Sequence, residues 1–275
     1  MPKVCLTCSE GVDLMKYHVT TIDKMPEWKK IRGDKTFFPN DMKIDLSNIR
    51  KYHPSNSNVK VQINLNENRK NRYIFYFAAQ PSVKPLKYPK ANEAYGNFNN
   101  SGITKSDKNG CATLLIKCPQ NYKEKGLWYP HVHFIIANST NTEWNTSLYT
   151  KLVLCSITRS NVKEAINNEN HLILNALPLS NYIKNHIPKS HSLPLNSVCK
   201  LTKTETIKHI KHLLNNVQRI KHLVDNNKMK IFDIPIIVYC YDNNCNASIR
   251  LIKHLWKLGF KNIKEYSDGI KGWKK

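Results

Sequence analysis

The fold of the second half of the chain is decided by the stretch Val238-Tyr239-Cys240-Tyr241-Asp242-Asn243-Asn244-Cys245-Asn246-Ala247-Ser248. An apolar run at residues 234–239 predicts a buried strand, and residues 247–258, which Gly259 closes, predict a helix. A cysteine between such a strand and helix lies where backbone N–H groups and the helix dipole stabilise an anion. We therefore expect a lowered pKa for Cys240 and a nucleophilic thiolate. The alternative is a cysteine that serves as a small buried hydrophobic residue.

The residues around this stretch predict alternating strands and helices over residues 151–275. Apolar residues recur every three or four positions through residues 205–227, which predicts one amphipathic helix capped by Thr204. Ile173 and Leu174 form a short earlier strand candidate. Strands that alternate with helices are typical of an α/β domain with a parallel sheet, and we expect this fold here.

Residues 55–150 follow a different pattern, in which apolar and polar residues alternate. The alternation is clearest at residues 59–65. Further strands are predicted at residues 73–78, 112–117 and 132–136. Turns rich in Pro, Gly and Asn separate them, so we expect an all-β sandwich for residues 55–150. Residues 1–54 sustain no period and are expected to be an irregular, loop-rich segment.

Two groups of motifs mark residues 153–275. The first group is Ala176-Leu177-Pro178, Tyr182, His186-Ile187-Pro188 and Leu193-Pro194, and the second is Leu258-Gly259-Phe260 and Gly269-Ile270-Lys271-Gly272-Trp273. In this order they resemble the rhodanese (sulfurtransferase) domain. The resemblance implies a compact α/β domain that needs no cofactor and whose active cysteine carries a persulfide. It also implies a sulfane-sulfur donor and a thiol acceptor as partners.

By position, Cys240 matches the catalytic cysteine of this family, because it directly follows the hydrophobic strand. The loop departs from the family pattern, since seven residues separate Cys240 from Ser248, none of them is Gly or Arg, and a second thiol, Cys245, is present. The family's Asp-x-Arg is absent, and Asn175 stands near the position of its Asp. We expect Cys240 to form the persulfide and Cys245 to act as a resolving or auxiliary thiol. The expected anion-binding residues of the loop are Asn243, Asn244, Asn246 and Ser248.

His131 and His133 lie on either side of Val132 in a predicted strand. Side chains two residues apart share one face of a strand, so both imidazoles can reach one metal ion. Two solvated surface histidines have the same spacing and are the alternative.

The sequence around this pair contains three further motifs. They are Gly102-Ile103-Thr104-Lys105-Ser106-Asp107-Lys108-Asn109-Gly110, Pro119-Gln120-Asn121-Tyr122 and Pro130-His131-Val132-His133-Phe134. Together they resemble the intradiol ring-cleavage dioxygenases. The resemblance implies a β-sandwich in which two tyrosines and two histidines hold a non-haem ferric ion, and hard phenolate oxygen suits Fe(III).

Carried over by position, the metal ligands are Tyr122, His131 and His133, and Tyr95 is the nearest match to the first tyrosine. The family's Pro after the second tyrosine is Lys123 here, and its substrate-binding Arg has no counterpart that the sequence places. The alternative is therefore a sandwich that keeps the scaffold without the iron or the turnover.

The 275 residues carry 43 Lys and Arg against 20 Asp and Glu, a net charge of +23. The excess divides almost equally between the two halves of the chain, which excludes a separate basic arm. A positive field of this kind attracts anionic small molecules such as thiosulfate and carboxylates. Nucleic acid is a less favoured partner, because no binding motif accompanies the charge.

No apolar run approaches membrane-spanning length, and no signal peptide follows Met1. We therefore expect a soluble, intracellular, cytoplasmic protein without a membrane partner. Its 8 Cys are expected to be thiols rather than a disulfide framework. Abundant Asn and Lys are typical of an A/T-rich genome and leave a viral origin open.

Sulfur transfer through Cys240 is the favoured function. One alternative is an iron-dependent intradiol-type dioxygenase in which the rhodanese-like domain is a passenger. Another is a non-enzymatic interaction protein built from two degenerate enzyme folds.

Overall fold

The computed structural model describes residues 20–21, 49–81, 88–96, 98–123, 126–145 and 147–274. The chain divides between Val153 and Leu154 into two compact units. Most of the segment that was expected to be irregular, residues 1–54, lies outside the described residues. No helix among the described residues is long and apolar enough to cross a membrane.

The first unit consists mainly of antiparallel strands. Its described elements are β1 (Thr20–Thr21), β2 (Val59–Asn64), β3 (Tyr73–Ala78), α1 (Ala91–Tyr95), β4 (Ser101–Lys105), β5 (Cys111–Ile116), β6 (Tyr122–Lys123), β7 (Leu127–Trp128), β8 (His131–Ile136) and β9 (Ser147–Leu152). Five strands form one sheet in the order β1-β9-β8-β3-β4, while β2 pairs with β5 and β6 with β7. The four predicted strands are present as β2, β3, β5 and β8, and their assembly into a dioxygenase-like sandwich stays a prediction.

The strands β2 and β8 differ in whether one or both of their faces are buried. Every second residue of β2 is buried, as its alternating sequence predicts. In contrast, β8, which lies between β3 and β9, is buried along its whole length, so both of its faces are covered. His131 and His133 are therefore interior residues, which contradicts the alternative of two solvated surface histidines.

The second unit is an α/β domain, as predicted. Its described elements are β10 (Cys155–Ser156), α2 (Arg159–Asn168), β11 (Leu172–Asn175), α3 (Leu179–Lys184), β12 (His191–Ser192), α4 (Leu195–Val198), α5 (Lys203–Leu213), α6 (Gln218–Asp225), β13 (Ile236–Tyr239), α7 (Ala247–Leu258), β14 (Ile263–Tyr266) and α8 (Gly269–Trp273). The five strands form a parallel sheet in the order β10-β14-β13-β11-β12.

The single helix predicted at residues 205–227 is wrong. Two helices, α5 and α6, are separated by a 3-10 turn at Leu214–Asn216. The cap is Thr202, whose side chain accepts from the N–H of Glu205, and not Thr204. The apolar period does not reveal the break, because Leu214 and Val217 are buried through the turn just as they would be in a continuous helix.

The expectation of free thiols holds for only some of the described cysteines. Cys118 and Cys155 are disulfide-bonded. The free cysteines are Cys111, Cys199, Cys240 and Cys245. Sequence spacing carries no information about which side chains meet, so the two bonded residues were not identifiable from the sequence.

The start of α8 holds the loop that follows β13. The N–H of Ile270 donates to the carbonyl of Cys240 at 3.0 Å, and that of Lys271 donates to the carbonyl of Tyr241 at 3.0 Å. Gly269 has a φ of +59°, and a Cβ there would lie 2.5 Å from both carbonyl oxygens. Only glycine permits this close approach. Cys240 directly follows β13 and therefore lies at the carboxyl edge of the sheet.

Candidate functional site

Cys240 is a buried thiol that carbonyl groups and a hydroxyl group surround. Its side chain is 1% exposed. The sulfur lies 3.3 Å from the carbonyl oxygen of Cys245, 3.8 Å from that of Asp242 and 3.2 Å from the hydroxyl oxygen of Ser248. A carbonyl oxygen only accepts hydrogen bonds, so these contacts favour the protonated sulfur.

The pKa of Cys240 is raised to about 11, whereas the sequence predicted a lowered pKa. Burial is the main cause, the interaction with Cys245 adds to it, and hydrogen bonds from Ser248 oppose it. The backbone of Ser248 hydrogen-bonds with the sulfur, but two other N–H groups of the loop have other partners. That of Asn244 donates to the Asp242 carboxylate at 3.0 Å, and that of Cys245 donates to the Asp242 carbonyl at 3.1 Å.

The four loop residues expected to bind an anion have different surroundings. The amide of Asn243 donates to the carboxylate of Asp268 at 3.1 Å. Asn246 is the N-cap of α7, and its side chain makes no cap hydrogen bond. Ser248 lies in the first turn of α7 and contacts the Cys240 sulfur. Anion binding by Asn243, Asn244, Asn246 and Ser248 stays a prediction.

Two residues near the thiol were missed by sequence reasoning. Asp242 organises the loop, because it accepts hydrogen bonds from the N–H groups of Asn244 and Cys245. Glu265, on β14, is 1% exposed and accepts a hydrogen bond from Ser248 at 2.7 Å. The signal that could have found Glu265 is its place in the strand sequence Ile263-Lys264-Glu265-Tyr266. An acid that a strand buries usually has a polar partner.

Asn175, which stands near the family's Asp, ends β11 and is fully buried. Its side-chain oxygen accepts from the N–H of Leu177 at 2.8 Å. It therefore holds the turn that leaves the sheet beside Cys240, a task that an Asp side chain performs equally well.

A cleft beside the loop is rich in lysine. It has a volume of about 390 Å³ and is lined by Leu177, Asn181, Lys184, Asn185, Tyr241, Ile270, Lys271 and Lys274. Lys271 lies 3.7 Å from the Asp242 carboxylate. Lys184 and Lys274 are exposed, so the cleft offers positive charge at the carboxyl edge of the sheet.

In the first unit, the structure brings together Tyr95, Tyr122, His131 and His133. All four are buried. The hydroxyl oxygens of Tyr95 and Tyr122 lie 3.4 Å apart, and each lies 3.2 Å from Nε2 of His131. Nε2 of His131 lies 3.0 Å from Nε2 of His133. Four potential ligand atoms therefore converge on one point.

The outer nitrogens of the two histidines fix their orientation. Nδ1 of His131 lies 2.6 Å from the carbonyl oxygen of Tyr129 and must donate to it. In a neutral imidazole, Nε2 then carries the lone pair and faces the cluster. Nδ1 of His133 contacts the hydroxyl oxygen of Thr150 at 2.7 Å. Metal-binding histidines have outer contacts of this kind.

The donor set fits a metal ion. Ligand atoms bound at about 2.1 Å to one ion lie about 3.0–3.4 Å from their neighbours, and the four separations match this range. Two phenols and two imidazoles suit a hard ferric ion. Among the described residues no group of three or more His, Cys, Asp or Glu is suited to a metal, so the fit depends on the two tyrosines.

Comparisons with known proteins identify the second unit. The family model for the rhodanese-like domain matches residues 158–275. The human single-domain sulfurtransferase TSTD1 is 7% identical over 43% of this chain and 94% of its own, with a TM-score of 0.30. The BH2092 protein of Bacillus halodurans is 21% identical over 44% of this chain and 71% of its own, with a TM-score of 0.31. An uncharacterised protein of Saccharomyces cerevisiae is 17% identical over 44% and 91%, with a TM-score of 0.32. No curated protein matches the chain.

Proposed function

Residues 158–275 form a rhodanese-like domain, and we propose that this domain transfers sulfane sulfur through Cys240. The observation that carries the proposal is the position of Cys240, which directly follows β13 at the carboxyl edge of the parallel sheet and precedes α7. Ligands of open α/β sheets bind at this edge.

The proposed reaction has two steps at one sulfur. The Cys240 thiolate attacks the sulfane sulfur of a donor such as thiosulfate, the S–S bond of the donor breaks, and sulfite leaves with the bonding electron pair. A thiolate acceptor then attacks the outer sulfur of the persulfide, and Cys240 leaves as a thiolate. No cofactor takes part in either step.

Cys245 is proposed as the auxiliary thiol. Cys245 interacts with Cys240, so the two thiols lie close together. The Cys245 thiolate can attack the outer sulfur of a Cys240 persulfide, with the Cys240 thiolate as the leaving group. The persulfide then resides on Cys245, which is half-buried and so more accessible to an acceptor than Cys240.

The lysine-rich cleft supports an anionic donor. Lys184, Lys271 and Lys274 line it, and Tyr241, the residue after the nucleophile, also belongs to its wall. Thiosulfate carries two negative charges, and a positive cleft raises the local concentration of such a molecule. Anionic small molecules are therefore the proposed substrate class.

The test is peptide mass spectrometry after incubation with thiosulfate. We expect the mass of one added sulfur atom on Cys240 and loss of sulfurtransferase activity in Cys240→Ala with retained circular dichroism. Cys199→Ala removes an exposed free thiol of the same domain and serves as the matched control. Cys245→Ala removes the second loop thiol, and an unmodified Cys240 in this variant would contradict its role as the first sulfur acceptor.

The four-residue cluster of the first unit favours a second candidate function, iron binding. The proposed ligands of a non-haem ferric ion are Tyr95, Tyr122, His131 and His133, as the resemblance to intradiol dioxygenases implies. A bound ferric ion would supply Lewis-acid and redox chemistry to a ligand in the site. The four proposed ligands would hold that ion in place, while the buried aromatic residues around it, among them Phe77 and Phe98, exclude water.

Iron reconstitution of the full chain tests this second function. We expect one bound iron and a visible tyrosinate-to-iron absorption that weakens in Tyr122→Phe. Tyr76→Phe is the matched control, because Tyr76 is equally buried and its hydroxyl group accepts from the N–H of Leu115 instead. A colourless, metal-free protein after reconstitution would exclude iron binding at this cluster.

A further inference from the structure

The buried carboxylate of Glu265 is connected to the nucleophile through one hydroxyl group. Ser248 Oγ lies 2.7 Å from Glu265 Oε1 and 3.2 Å from Cys240 Sγ. A carboxylate only accepts, so the Ser248 hydroxyl donates its proton to Glu265. The lone pairs of the same oxygen then remain to accept the S–H of Cys240. The three groups form a directed chain from the thiol to the carboxylate.

A sulfur transfer that begins at Cys240 needs a proton acceptor. The thiol is buried among carbonyl oxygens, which stabilise S–H and cannot take its proton. Ser248 and Glu265 are themselves at most 1% exposed. The chain is therefore largely shielded from bulk water, and Glu265 is the base that its hydrogen bonds connect to the sulfur.

We propose that Ser248 and Glu265 are a proton relay that generates the Cys240 thiolate, an inference that rests on the proposed sulfur transfer. The S–H proton of Cys240 passes to Ser248 Oγ while the Ser248 hydroxyl proton passes to Glu265. The thiolate forms its bond to the sulfane sulfur, and sulfite leaves with the electron pair of the broken S–S bond. When the acceptor takes the outer sulfur, Cys240 leaves as a thiolate, and the proton on Glu265 returns to it through Ser248. Ser248 contacts the reacting sulfur itself, whereas Glu265 acts through Ser248 and is a positioning residue.

The other charged groups of the neighbourhood do not supply the same path. On β14 the adjacent residue, Lys264, points to the opposite face of the sheet, where it interacts with Glu164 and His171. The strands on either side of Glu265 place Val238 and Ser156 in register with it, and neither is charged. Cys245 is the titratable group of the loop that acts on Cys240.

Glu265 could act as a base or only as a neighbouring negative charge, and the two roles predict opposite effects of Glu265→Gln on the reactivity of Cys240. The substitution keeps the size and an accepting oxygen but cannot take a proton. If Glu265 acts only as a nearby negative charge, its loss removes repulsion of the thiolate and makes Cys240 more reactive. If Glu265 is the base, its loss makes Cys240 less reactive wherever solvent hydroxide is scarce.

The experiment measures alkylation of the Cys240 peptide by iodoacetamide in the full chain between pH 6 and pH 10. We expect Glu265→Gln to slow alkylation about 100-fold at neutral pH, the lower end of what a positioned base contributes. The deficit should shrink at high pH, where hydroxide replaces the relay. Glu164→Gln, an exposed acid that faces the other side of the sheet, is the control and should alkylate at the rate of the unmodified sequence.

Ser248→Ala provides a second variant if Glu265→Gln does not fold. It should slow alkylation to the same degree, and the double variant should be no slower than either single one, because both break one path. Equal or faster alkylation in either single variant, or a deficit that is constant with pH, would overturn the relay. Alkylation requires no sulfur donor, so a failed relay is distinguishable from a failed sulfur transfer.

Discussion

The Cys240 loop and the cluster of Tyr95, Tyr122, His131 and His133 are supported by different kinds of information. The loop lies in a rhodanese-like domain, but its local geometry stabilises a thiol rather than the thiolate that sulfur transfer needs. In the cluster, four ligand atoms already have the separations of a metal's first coordination shell, while the dioxygenase resemblance stays a prediction. Family membership and site geometry are independent, and each region lacks one of them.

The largest effect is expected at Gly269, the residue that lets α8 hold the Cys240 loop. Gly269→Ala places a Cβ 2.5 Å from the carbonyl oxygens of Cys240 and Tyr241, at a φ of +59°. We expect the free energy of unfolding to fall by about 3 kcal/mol or more, together with loss of persulfide formation. Urea denaturation and peptide mass spectrometry measure the two effects.

Gly126→Ala is the control for this substitution. Gly126 also has a positive φ, but a Cβ there meets nothing within 4 Å. Gly126→Ala should therefore lose only the stability that the positive φ costs, without a steric clash of the new Cβ. If the two variants lose equal stability, the loop is not held by the close approach at Gly269.

The raised pKa of Cys240 predicts a dependence of stability on pH. The folded protein binds the thiol proton more tightly than the unfolded chain, so this contribution is complete below about pH 9 and is lost as the pH rises to about 11. A shift of this size corresponds to roughly 2–3 kcal/mol. Cys240→Ala lacks the contribution, so the difference in unfolding free energy between the two proteins should change by this amount between pH 8 and pH 11. A constant difference would mean that the thiol ionises at its ordinary pKa, and a change in the opposite direction would restore the lowered pKa expected from the sequence.

The surroundings of Cys240 are only partly predictable from the sequence. The strand, loop and helix around Cys240 were predictable, because a buried strand and an amphipathic helix have different apolar periods. The shared face of His131 and His133 followed from the period of two, and the two tyrosines followed from the motif resemblance. Each of these depends on local sequence or on an ordered pattern.

The direction of the Cys240 pKa shift was not predictable. It depends on the burial of the sulfur, which outweighs the hydrogen bonds of Ser248, and Asp242 adds to it by accepting hydrogen bonds from two N–H groups of the loop. The role of Glu265 depends on the register of β14 against β13, which is a long-range contact. The break between α5 and α6 was hidden because Val217 continues the apolar period through it.

The contact between His133 and Thr150 is expected to affect iron affinity. Thr150→Val removes the hydroxyl group that lies 2.7 Å from Nδ1 of His133 and keeps nearly the same volume. Loss of such an outer contact lowers metal affinity about 10–100-fold. Competition with a chelator measures the change, and Thr113→Val, an exposed strand position on β5, is the control. Unchanged iron affinity would show that Thr150 does not orient a metal ligand.

The smallest effect is expected from the lysines of the cleft, and it separates substrate attraction from chemistry. Lys184→Gln and Lys274→Gln each remove one exposed positive charge from the wall of the cleft. Because exposed charges contribute about 0.2–1 kcal/mol each, we expect the KM for thiosulfate to rise about 2–5-fold in each variant with little change in kcat. The rise should disappear at high ionic strength, since salt screens exposed charges. Lys208→Gln removes an exposed charge from α5 instead, and it should leave KM unchanged. An equal effect of all three substitutions would assign the attraction to the overall charge of +23 and not to the cleft.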